Sequence, residues 1–179
     1  FAKFKSGSDS VEVGFAILGD PNYKTTNADY EEQVNFLLTV RDKFSEVMKA
    51  MKNIKEVRQQ LTDFNARIGK DIPSEIKQKI DTINKQMTAV EEALHQTKAK
   101  SGQDVLNYPI RLDDKLASVY NAASAGNTAP SRQAKEAYAE LAVQTDAELS
   151  KLKKILEDDL LKLNQLIHAK TLPVIGLNK

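Results

Sequence analysis

The chain has 179 residues, 26 Lys and Arg against 25 Asp and Glu, and a formal net charge of +1. Near-neutrality gives no whole-chain electrostatic pull toward nucleic acid or a strongly acidic partner. There is no cysteine, which excludes disulfides, thiolate chemistry and cysteine-based zinc sites. No apolar run approaches the roughly 20 residues a membrane-spanning helix needs.

The first residues read differently from the rest. Val11, Val13, Phe15 and Ile17 alternate with Glu12, Gly14 and Ala16, and Phe1 to Phe4 offers a shorter strand. Ser6 to Ser10 is turn-rich, so a β-hairpin is expected. A lone hairpin is marginal in water, and this one must pack on something. Residues 1–21 are therefore assigned as the last hairpin of a preceding β-domain, with Gly19, Asp20 and Pro21 opening a linker. Residues 22–179 are assigned to a helical bundle. The chain starts on Phe1, which is read as a cut end.

From Thr26 the period changes. Thr26 with Asp29 is an expected helix cap, followed by Glu31 and Glu32 at the favourable end of the helix dipole. Leu37, Phe44 and Met51 repeat every seven residues, interleaved with Val40, Val47, Ile54, Leu61 and Ile68. Gly69 is the natural stop. Pro73 enters the first turn of a second helix, whose Ile76, Ile80, Ile83, Met87, Val90 and Leu94 keep the rhythm until Lys98 to Gly102 end it. Pro109 interrupts the chain. A short third helix follows, with Leu112, Leu116, Val119 and Tyr120 on one face. Thr128 is the expected cap of a last long helix, with Pro130 in its first turn. Its stripe runs through Tyr138, Leu141, Leu149, Leu152, Leu156, Leu160, Leu163 and Ile167, with an irregularity expected around Thr145. Pro173 should stop it, and Val174, Ile175 and Leu177 should fold back on the bundle end. The fold class is mainly α: an antiparallel up-down bundle of three long helices and one short, with an N-terminal hairpin remnant.

Chemistry is sparse. Only His95 and His168 are present. Glu91 lies one turn before His95, but a metal site wants a larger cluster, and a surface reading is preferred. Asp113 and Asp114 suit a helix N-terminus, and the acids at 157–159 suit a solvated face beside Lys153 and Lys154. No phosphate loop, nucleophile elbow or HExxH pattern occurs. No catalytic, cofactor-binding or metal-ligating residue is therefore assigned, and no cofactor is expected. The least generic stretch is Tyr108 to Leu116. Its structural reading has Tyr108 plug the bundle end while Arg111 pairs with a carboxylate. Its functional reading is a docking surface built on Tyr108, Pro109, Arg111 and Asp114.

Several segments together resemble a known family. These are Gly19-Asp-Pro, Phe64-Asn-Ala-Arg, Ala89-Val-Glu-Glu-Ala-Leu, Asn107-Tyr-Pro-Ile-Arg-Leu-Asp-Asp-Lys-Leu-Ala and Gly126-Asn-Thr-Ala-Pro-Ser-Arg-Gln-Ala. In this order they resemble the C-terminal helical region of secreted bacterial β-propeller proteins with BNR or sortilin-type repeats, labelled glycosyl hydrolases. The resemblance spans essentially the whole chain. It implies an extracellular or cell-envelope (periplasmic) parent in which propeller and β-sandwich precede this helical tail. It brings no catalytic residue, because that family's catalytic residues would lie in the propeller. The expected role is a non-catalytic accessory domain that packs on the parent or mediates assembly, with no nucleic acid as partner. One alternative is a free-standing coiled-coil-like interaction module. Another is a piece completing the parent's active site through Arg111 or Asp114.

Overall fold

The computed structural model describes residues 1–170. The expected fold-back of Val174, Ile175 and Leu177 lies outside them. The architecture is mainly helical, with one two-stranded antiparallel hairpin, β1 (Ala2–Ser6) and β2 (Asp9–Val13). The helices are α1 (Asn27–Ile68), α2 (Ser74–Leu94), α3 (Leu112–Ser124), α4 (Arg132–Lys154) and α5 (Leu160–Ala169), and a π turn (Ile155–Asp159) joins the last two.

Helix α1 begins where the sequence says it should. Thr26 accepts from the Asp29 N–H, and the Asp29 carboxylate accepts from the Thr26 N–H at 2.8 Å, a complete capping box. The Thr26 hydroxyl and backbone N–H hold the Asp29 carboxyl below the ordinary carboxylate range. A lowered folded-state value means a contribution present above the unfolded value and lost as pH falls through the folded one. The Asp29→Asn variant should therefore show a shallower loss of stability with acid than the parent chain, measured by urea midpoints through the acid range. An unchanged acid limb would contradict the cap's part in it. With 42 residues, α1 is about 60 Å long. It stops at Gly69, whose φ of 66° and ψ of −132° are reserved for glycine.

The 21 residues of α2 are half the length of α1 and return along its C-terminal half. The rest of α1 is covered by α3. Gln33 donates to the Ala123 carbonyl at 2.8 Å, while Val40 and Phe44 share a groove with Leu116 and Tyr120, so α3 also runs antiparallel to α1. Thus α2 and α3 lie in series as one interrupted rod. The third rod is α4 and α5, parallel to α1. Phe36 meets Tyr138 edge-on at 5.7 Å, and Lys43 bonds Asp146 at 2.7 Å. Burial works against the Lys43 cation there, but Asp146 and Glu46 outweigh it and hold the ammonium above the ordinary lysine range. The core threads all three rods: Val47, Ile54, Leu61 and Phe64 meet Ile76, Ile83, Met87 and Leu94, then Leu152, Ile155, Leu163 and Ile167.

Four local expectations are corrected. Helix α2 ends at Leu94, not near residue 100, because His95 turns extended (φ −138°). Ser131, not Thr128, caps α4 by accepting from the Ala134 N–H at 3.1 Å, and Pro130 precedes the helix. Pro73 likewise stands just ahead of α2 as its cap residue. The irregularity of the last helix is not at Thr145, which lies in regular helix and is fully buried, but ten residues later in the π turn. The Thr145 hydroxyl has no hydrogen-bond partner among the described residues. A buried unsatisfied hydroxyl costs stability, so Thr145→Val should stabilise the chain by about 1 kcal/mol. A urea melt would read it, and a loss of stability would show that the hydroxyl is satisfied in solution.

Candidate docking surfaces

Strand side chains alternate between two faces, so the pairing register decides which residues share one. Ala2 faces Val13 and Phe4 faces Val11, while Lys3 faces Glu12 and Lys5 faces Ser10. One face is apolar, and the other carries the Lys3–Glu12 ion pair at 3.7 Å. Gly7 (φ 61°) supplies the positive φ that a two-residue hairpin turn needs. Every residue of β2 is exposed, and among the described residues neither strand lies against a helix. Phe4 is 67% exposed and Val11 63%. Phe15 and Ile17 were expected to extend the strand. They lie beyond β2, because pairing ends at Ala2 and Val13 and no residue stands opposite them. Both are exposed, as is Leu18. The linker then returns to the bundle, where a Cβ on Gly19 would come within 3.1 Å of the Tyr30 hydroxyl.

The second surface is the break between α2 and α3. His95 Nδ1 lies 2.5 Å from the buried Asp113 carboxylate, which also accepts the Asp114 N–H at 2.9 Å. Gln96 donates to the Pro109 carbonyl at 2.8 Å. Asp104 ties the loop by accepting the N–H groups of Lys100 and Ser101, which hold its carboxyl below the ordinary range. These bonds pin the end of one helix to the start of the next.

The sequence-chosen residues fall here in different roles. Pro109 is held by Gln96, and Asp114 is exposed in the first turn of α3. Tyr108 does not plug the bundle end. It sits 37% exposed on the outside of the loop, its N–H donating to the Asp104 carbonyl. Nor does Arg111 pair with a carboxylate among the described residues. Asp113 is taken by His95, and the Arg111 Nε is buried with no hydrogen-bond partner. Glu91 and His95 part company as well, Glu91 reaching Arg58 on α1 at 2.9 Å. Asp159 joins Lys79 on α2 at 3.0 Å, so that acid serves packing between rods and not only a solvated face. Sequence reasoning missed Lys115, Gln144 and Glu148, which meet Arg111 around one cavity. Two of them come from α4, far along the chain, and no local spacing announces such a meeting.

Among the described residues no group of three or more His, Asp and Glu side chains could hold a metal ion. No described helix is long and apolar enough to cross a membrane. No family model matches the chain, and neither curated proteins nor solved structures give a match.

Proposed function

We propose that this chain is a non-catalytic accessory module: the C-terminal helical bundle of a larger secreted β-propeller protein, docking onto its parent through the hairpin. The observation that supports this reading is the hairpin's apolar face. Phe4, Val11 and Val13 are exposed on a two-stranded sheet that touches no helix among the described residues. Two strands do not form a stable unit in water unless that face is covered. A neighbouring β-domain of the parent would cover it and extend the sheet. The resemblance to propeller proteins points to the same kind of neighbour.

The test is a photocrosslinking amino acid placed at Phe4 in the protein as its native host makes it. Capture of a β-domain within the same chain is expected. Failure to capture such a domain would contradict this mode of docking.

A second reading, a free-standing interaction module, rests on α1. Val34, Leu38 and Met48 lie within about 80° of one another around the helix and are all exposed. That arc suits a partner helix. Sedimentation equilibrium on the isolated chain separates the two: self-association abolished by Leu38→Lys favours this reading, and a strict monomer favours the first.

A further inference from the structure

A cavity of about 350 Å³ opens where the end of α2, the entry to α3 and the middle of α4 meet. That lies within the size range of small ligand sites, about 300–1,000 Å³. Ile110 and Leu112 give it apolar walls, Arg111 and Lys115 bring two cations, and Gln144 and Glu148 line it from α4. Among the described residues neither cation forms an ion pair. Glu148 is already held by Lys151 at 2.7 Å. Asp113, two residues after Arg111, is committed to His95.

Arg111 is the informative residue. Its Nε is buried and has no hydrogen-bond partner among the described residues. Leaving a donor of a charged group unpaired in the interior is costly, and a guanidinium fork is built to meet a carboxylate with two parallel bonds. Lys115 follows one helical turn later and adds a second positive charge.

We propose that this cavity binds an acidic side chain, Asp or Glu, flanked by an apolar residue on a partner protein. A free small carboxylate would meet the cations but leave the apolar wall uncovered, and Ile110 is 41% exposed beside it. A peptide segment covers both. The inference rests on the chain being a docking module, and it adds a partner chemistry the hairpin does not supply. The hairpin experiments leave this cavity untouched, so the two can fail separately.

The test is a titration of the whole ¹⁵N-labelled chain with acetyl-Leu-Glu-Leu-amide, following the Arg111 side-chain Nε–H resonance. The expected result is a saturable shift, with affinity at least about tenfold weaker for the Leu-Gln-Leu twin, for glutarate, and for Arg111→Gln. No shift, equal binding of the glutamine twin, or glutarate binding as tightly as the peptide would each overturn the proposal. Lys115 is exposed at the rim, so Lys115→Gln serves if Arg111→Gln does not fold. A several-fold loss of affinity is expected there, and unchanged affinity in the folded variant also overturns the proposal.

Discussion

Replacing Phe64 by alanine is expected to cost about 3–5 kcal/mol, a large share of the roughly 5–15 kcal/mol that holds a domain of this kind together. Phe64 is fully buried near the C-terminal end of α1 and belongs to the continuous core that includes Leu61, Ile76 and Ile80. Truncation removes the largest wholly buried side chain among the described residues. The cavity left behind lies between long helices that resist collapsing into it, and the cost grows with the void. Phe64→Leu keeps most of the volume and should cost less. Urea unfolding followed by circular dichroism measures both. A loss below about 1 kcal/mol for Phe64→Ala would mean that this end of the bundle is loosely packed.

The second large effect concerns the last helix. Leu152, Leu156 and Leu160 are spaced by two consecutive steps of four, where a heptad would alternate four with three. The π turn over Ile155–Asp159 takes up that extra residue, so Leu160, Leu163 and Ile167 still face the core. Deleting Asp158, which is exposed in the π turn, should convert the turn to α-helix and leave those three seated. Stability should then change by no more than about 1 kcal/mol. Deleting Ser150, also exposed but in regular helix, has no such absorber. It rotates one side of α4 by about 100° relative to the other. Either Thr145 and Leu149 or Leu152 and Ile155 must leave their seats. At about 1.5–3 kcal/mol for each buried aliphatic side chain, losing the latter pair costs at least about 3 kcal/mol. Thermal melts of the two deletions compare them directly. Equal losses would show that the π turn is not a register device.

Much of this architecture was legible because helices announce themselves through period. The seam of α1, the rhythm of α2, the Thr26–Asp29 cap and the Gly69 stop all follow from local spacing and backbone preference. What escaped had competing local signals or a distant partner. The π turn had a signal in the double step of four from Leu152 to Leu160, but the more visible gap between Leu141 and Leu149 drew the irregularity to Thr145. Thr128 resembles a cap as closely as Ser131 does, and only Ser131 places its oxygen on the Ala134 N–H. The end of α2 was drawn too late because the turn at His95 accompanies a partner, Asp113, that lies 18 positions away.

The site was legible in part. The segment from Tyr108 to Asp114 stood out as unforced by the heptad, and the structure places it where two helices of one rod meet. The pairing with a carboxylate expected for Arg111 is not found among the described residues, and Asp113, two positions on, bonds His95 instead. That misassignment is informative, since it leaves a buried guanidinium donor facing no internal acceptor among the described residues.

The central claim, that this bundle serves as an accessory part of a larger propeller protein, is tested most directly by the intact mass of the protein isolated from its native host, read against the open reading frame. The account predicts a species far heavier than the 19.9 kDa of this chain, with β-propeller repeats encoded ahead of Phe1. A native species close to that mass, from a reading frame without such repeats, would contradict it.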